Sequence, residues 1–219
     1  MSSQAPARAT KQEDKQRRRD ALLRAAAERF AEQPFAALKI ADIAADAGVA
    51  KGTVFLYFPT KEALFLELLG VELEAWLVEL DAGLEHGRGP WSSTRVARLV
   101  AQTITPRTTL TRLLALLAGV LEQNVEVEQI AAFKLALRDR LARTGALLER
   151  RLEFLAAGRG AHLMLQFYAI VIGVHQTANP GPAAREALER PELASLVVEF
   201  ADELEQLLTA FLRGLELGS

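Results

Sequence analysis

The residues most able to do chemistry lie close together, in AGVAKGTVFLYFPTKEAL, residues 47–64. Lys51 and Lys61 supply cations, Thr53 and Tyr57 supply hydroxyls, and Glu62 is the one acid among them. Cations and hydroxyls without a base or an activated nucleophile are equipment for holding phosphate oxygens, not for breaking bonds. Elsewhere the sequence has no P-loop, nucleophile elbow or dinucleotide fingerprint. Cysteine is absent, and His86, His162 and His175 stand far apart with no i, i+4 pairing. A thiolate site, a metal site and a cofactor are therefore not expected, and the chain reads as a non-enzyme.

The elements that must position this stretch read as helices throughout, so the fold class is all-α. Apolar spacing predicts a first helix over about 14–31, with Leu22, Leu23, Ala26, Ala27 and Phe30 on one face. Two short helices follow, over about 40–47 and 51–58. Gly48 between them can take the left-handed backbone that stops a helix. Ala44 is small enough for a close crossing, and Ile43, Val49 and Val54 are spaced to bury against the first helix. This is a helix-turn-helix pattern, which leaves Lys51, Gly52 and Thr53 at the exposed start of its second helix, where N–H groups and dipole suit a phosphate-rich groove. Phe55 and Phe58 are expected to share a face, with Phe58 in the core and Leu56 pointing elsewhere. A cation at Lys61, in the first turn of the next helix, opposes the helix dipole unless an anion lies near. Arg17-Arg18-Arg19 is either a solvated run or a further phosphate contact.

Residues 35–65, FAALKIADIAADAGVAKGTVFLYFPTKEALF, resemble the DNA-binding signature of the TetR family of bacterial transcriptional repressors. The matching residues are Ile43-Ala44, Ala47-Gly48-Val49, Lys51-Gly52-Thr53-Val54, Tyr57-Phe58, Lys61-Glu62 and Leu64. The resemblance implies a homodimer that binds operator double-stranded DNA through a three-helix domain and a small molecule through a larger helical one. It places Lys51, Gly52, Thr53, Phe55 and Leu56 along the recognition helix, and Tyr57 and Lys61 on phosphates. The chain departs from the pattern at Ala50 and Lys39, where the family usually has capping hydroxyls. Lys39 cannot cap but can reach a phosphate. Ala41 offers no hydrogen bond to a base, and Phe55 often appears as Tyr.

The rest of the chain reads as long helices, over about 60–85, 92–105, 106–123, 126–157, 161–177 and 191–215, with a short piece over 183–189. That makes about nine in all. We divide the sequence into a disordered basic arm (1–12), a DNA-binding domain (13–59) and an effector-binding and dimerisation domain (60–219). Residues 1–61 carry 11 Lys or Arg against 7 Asp or Glu, and the remainder 15 against 21, so a basic head precedes an acidic body. The N-terminus has no apolar signal core and no segment reaches the length of a membrane span, so a cytoplasmic protein without membrane contact is expected.

The segment LMLQFYAIVIGV is apolar nearly all round and needs cover on both sides. With the stripe of the last helix it forms the expected dimer interface: Phe167, Ile170, Val171, Val174, Phe200, Leu204, Leu207, Leu208 and Phe211. Candidate lining for a largely apolar effector pocket is Trp76, Trp91, Phe133, Phe167, Tyr168, His175 and Gln176. The expected function is a repressor released from a palindromic operator when an effector tilts the fourth helix. A helical interaction protein or enzyme that keeps the module without a regulatory DNA role is the alternative.

Overall fold

The structure, a computed structural model, describes residues 5–219. Ten α-helices follow one another: α1 (Ala5–Glu32), α2 (Ile40–Asp46), α3 (Lys51–Phe55), α4 (Lys61–His86), α5 (Ser93–Ile104), α6 (Thr108–Leu116), α7 (Val127–Arg151), α8 (Gly160–Ala178), α9 (Pro182–Leu188) and α10 (Phe200–Leu217). Short 3-10 turns occur at Phe35–Ala37 and Pro191–Leu196, and a π-helical turn at Leu117–Leu121. The described residues contain no strand, in agreement with the all-α expectation. Part of the arm expected to be disordered, residues 1–4, lies outside the described residues. From Ala5 onward the backbone is helical, so α1 begins well before the expected Asp14.

The small head is built on α1. Leu22, Leu23, Ala26 and Phe30 are buried with Ile43 and Ala44 of α2, Val54 of α3 and Phe58. The ring of Phe65, from α4, takes Phe30 and Phe35 edge-on at 5.5 and 5.1 Å. Head and body thus share one aromatic cluster, an arrangement that favours rigid transmission. Thr60 caps α4, its Oγ1 accepting from Ala63 N at 3.0 Å.

In the body, α4 packs against α5, α6 and α7, and α10 lies along α5 and α8. Asp81 of α4 is buried but not orphaned: Thr144 Oγ1 donates to it at 2.6 Å and Arg143 Nε at 2.9 Å. That pairing fixes the α4–α7 register at little net cost. The α7–α8 crossing depends on two glycines. A Cβ on Gly145 would lie 2.4 Å from Ala161 N, and one on Gly160 would lie 2.1 Å from Gly145 O. No larger residue fits either position without moving the helices apart.

Four further helix boundaries differ from expectation. The third helix of the head ends at Phe55, not Phe58. The sixth helix ends at Leu116 and widens into the π turn around Gly119 and Val120, both weak helix formers. The seventh ends at Arg151, because Leu152 turns inward to full burial and Phe154 and Leu155 pack from a loop, not a helix. The expected helix over 191–215 is broken at Val197 (φ −76°, ψ 128°), where two successive valines disfavour continuation. The short piece over 183–189 is α9.

Candidate nucleic-acid interface and effector pocket

The turn between α2 and α3 is closed by a Schellman arrangement. Gly48 has φ +68°, Val49 N donates to Ala44 O at 2.9 Å, and Gly48 N donates to Ala45 O at 3.0 Å. Arg29 of α1 holds Asp46 through two hydrogen bonds and approaches Asp42 at 3.8 Å. The hydrogen bond from Arg29 keeps the Asp46 carboxyl below the usual carboxylate range. The acids of α2 are thereby paired with α1. Lys39, Lys51 and Gly52 are exposed, as are Phe55 and Leu56, the last at 81 %. Thr53 and Tyr57 are half-buried. Neither Lys39 nor Ala50 caps its helix through a side chain.

Two expectations for the head need correction, and one left open is narrowed. Phe55 and Phe58 do not share a face: Phe55 is 44 % exposed and Phe58 only 2 %, because the chain leaves helical geometry after Phe55. Lys61 is not a bare cation awaiting an anion. Its Nζ donates to Phe35 O at 2.9 Å and Leu38 O at 3.2 Å, and it lies 4.1 Å from the centre of the Phe35 ring. These carbonyls supply the negative partner that sequence reasoning assigned to DNA. The run Arg17-Arg18-Arg19 also divides, since Arg19 pairs with Glu67 of α4 and Arg17 with Asp14, leaving Arg18 exposed.

In the body, a cavity of about 280 Å³ opens between α4, α6, the π turn, α7 and α8. Its walls include Leu73 and Trp76 from α4, Leu114 and Leu117 from the α6 end, and Met164, Tyr168 and Val171 from α8. Of the expected lining, Trp76 and Tyr168 are in place. The Trp76 N–H is engaged, its Nε1 donating to Thr103 Oγ1 at 3.0 Å. The remaining five lie elsewhere. Phe167 is fully buried in the core, and Gln176 is exposed. Phe133 borders a separate open groove between α4 and α7. Trp91 is covered by the guanidinium groups of Arg95 and Arg151 at 4.2 and 5.1 Å. His175 packs edge-on against Phe200 at 6.0 Å. The turns of α8 that carry Met164, Tyr168 and Val171 face inward, and His175 and Gln176 lie beyond that stretch.

Sequence reasoning missed Glu122 and Lys134. Both line the cavity, and they pair at 2.5 Å across its mouth. Glu122 follows an apolar run and looks like any solvated acid until the π turn carries it inward. Burial first, and the Glu122 charge second, push the Tyr168 hydroxyl upward.

Two contacts tie the cavity region to the head besides α4 itself. Thr60 Oγ1 donates to Asn124 O at 2.9 Å, two residues from Glu122. Arg112 of α6 reaches the end of α1, donating to Phe30 O and, at 2.8 Å, to Gln33 O, while stacking 4.1 Å over the Phe30 ring.

The expected dimer residues fall into two groups. Phe167, Val171, Val174, Leu204 and Leu208 are buried within their own subunit, a correction to the expectation that all nine face a partner. An all-round apolar helix does not reveal which side its own fold takes. Ile170, Phe200 and Phe211 are only half-buried and Leu207 is 42 % exposed. Ile170, Gly173, Thr177, Leu207, Ala210 and Phe211 line a shallow groove between α8 and α10.

Comparison with known proteins finds a family match for both parts of the chain. Residues 22–68 match the family described as bacterial regulatory proteins, tetR family, and residues 71–218 match the tetracyclin repressor-like C-terminal domain. The HTH-type transcriptional regulator RutR of Escherichia coli is 38 % identical over 65 residues, 30 % of this chain and 31 % of RutR. The uncharacterized HTH-type transcriptional regulator YfiR of Bacillus subtilis is 30 % identical over 102 residues, 43 % of this chain and 49 % of YfiR. The chain therefore aligns with between about a third and a half of the length of these relatives. Among solved structures, the fatty acid degradation regulator FadR of Bacillus halodurans superposes with a TM-score of 0.55 at 17 % identity, over 87 % of this chain and 97 % of that one. FadR of Bacillus subtilis, solved with stearoyl-CoA, gives 0.52 at 18 % identity, over 86 % and 96 %. At these identities the likeness is one of fold. Among the described residues no helix is long and apolar enough to cross a membrane.

Proposed function

Because the chain belongs to the tetR family of bacterial regulatory proteins, we propose that this transcriptional regulator is a dimeric repressor released from a palindromic operator by a small, largely apolar effector. The observation that carries the reading is the exposed set on the head. Lys39, Lys51, Gly52, Phe55 and Leu56 are exposed, and neither lysine is ion-paired among the described residues, while the nearby acids Asp42 and Asp46 are drawn to Arg29. Lys39 and Lys51 serve phosphates, Thr53 and Phe55 meet base edges, and Tyr57 adds a hydroxyl contact. Because α3 has only five residues, side chains rather than a helix dipole hold the DNA.

Two heads joined through the outer faces of α8 and α10 would meet successive major grooves. An effector in the cavity would move α4 and α6, and their contacts with α1 would carry the movement to the head. The effector acts only through its differential affinity for the two states. The test is a gel shift on the DNA upstream of the protein's own gene. Specific retardation, lost in Lys51→Ala, supports the reading; retardation equal to that of unrelated DNA refutes it.

A further inference from the structure

The effector reading leaves the ligand's chemistry open, and the cavity contains one charge arrangement that narrows it. Glu122 is the inner member of its pair, with its side chain 26 % exposed, and Lys134 the outer one, 47 % exposed. Lys134 can swing its ammonium into water at small cost, because its stem is flexible and its head is already half-solvated. The Glu122 backbone closes the π turn, and its Oε1, which Lys134 approaches, is shut off from solvent and accepts no hydrogen bond among the described residues. A partly buried carboxylate that loses its partner is destabilised, so the group that best replaces the lysine is another cation.

The surroundings of Glu122 point the same way. Trp76 and Tyr168 line the same cavity, and aromatic rings attract cations. The Trp76 N–H is already spent on Thr103. Glu122 and Tyr168 line the same cavity, close enough for the carboxylate charge to act on the phenol. Deeper in, Leu73, Leu114, Leu117 and Met164 make an apolar wall suited to hydrocarbon. A carboxylate or phosphate head would meet Glu122 directly and be repelled.

We propose that the cavity binds a small cationic amphiphile, its ammonium or amidinium group on Glu122 between the Trp76 and Tyr168 rings and its hydrocarbon part against α4 and α6. The proposal rests on the effector-pocket reading. It also gives the ligand a lever: Glu122 is two residues from Asn124, whose carbonyl accepts from the Thr60 cap of α4.

Calorimetric titration of the full-length protein with three probes of one chain length separates the possibilities: octyltrimethylammonium, 1-octanol and octanoate. The cation should bind about tenfold or more tightly than 1-octanol, the difference a charged pair commonly makes, and octanoate should bind most weakly. Glu122→Gln should bring the cation down to the level of 1-octanol without changing 1-octanol itself. Lys134→Gln, which removes the competitor, should tighten the cation and provides a second reading if Glu122→Gln folds poorly. Octanoate or 1-octanol binding as tightly as the cation, or a cation affinity unmoved in both variants, would overturn the charge assignment while leaving an effector pocket in place. Failure of all three probes to bind would overturn both.

Discussion

At the scale of single residues, the sequence assigned both Lys51 and Lys61 to the DNA, and the fold separates them. Lys51 is exposed and Lys61 is tied to two carbonyls. Lys51→Ala should lower the salt slope of DNA binding by roughly one per subunit and leave the melting temperature nearly unchanged. Lys61→Ala should destabilise the head by about 1 kcal/mol, since it leaves the Leu38 carbonyl without its donor and the Phe35 carbonyl with only the Leu38 N–H. Thermal melts beside salt titrations read the two effects separately; an unaltered melting temperature for Lys61→Ala would contradict the internal role. Gly48, Val54 and Phe58 were legible because turn chemistry and apolar spacing are local. Glu122 was not, because its direction is set by a π turn that no short-range rule announces.

At the scale of elements, the sequence made α4 the single route between body and head. The structure adds α6, through Arg112 and the carbonyls that end α1. Arg112→Ala should therefore weaken the coupling between effector and DNA more than it weakens either binding event. The check is the effector's effect on operator affinity in both proteins, with equal coupling contradicting the α6 route. Inserting Gly-Gly after Pro59 should uncouple α4 in the same sense. The end of α8 adds a pH dependence. Burial, and then the Arg112 charge, hold the His175 imidazole below its ordinary value of 6.5. The unfolded chain thus takes the proton first, so the contribution of His175 is complete above about pH 6.5 and declines as pH falls below it. The melting temperature should drop more steeply between pH 7 and 5 in the wild type than in His175→Phe. Helix number and class were legible from periodicity. The break at Val197 and the early end of α7 were not, because apolar residues continue past both points and packing alone decides whether the helix does.

At the scale of the molecule, the basic head and acidic body are one design, a surface drawn to DNA on a scaffold that is repelled by it. The scaffold leaves the α8–α10 face as its apolar outer side, and only residues on that side test dimerisation. Ile170→Glu with Phe211→Glu should give a monomer that keeps its helical content. The buried Phe167 or Leu208 would instead unfold the subunit if charged. Light scattering with circular dichroism distinguishes these; a double variant that remains a dimer would place the interface elsewhere. By linkage, any factor by which an effector weakens operator binding must be returned by the operator to the effector.

The central claim is that the exposed set on the head reads DNA. The most direct measurement is fluorescence anisotropy on the DNA upstream of the protein's own gene, with unrelated DNA of equal length as control, over a range of salt concentrations. The account predicts preferential binding to the upstream DNA, with a steep salt slope that falls by about two for a Lys51→Ala dimer, one for each head. Equal affinity for both DNAs, together with an unchanged slope in Lys51→Ala, would contradict it.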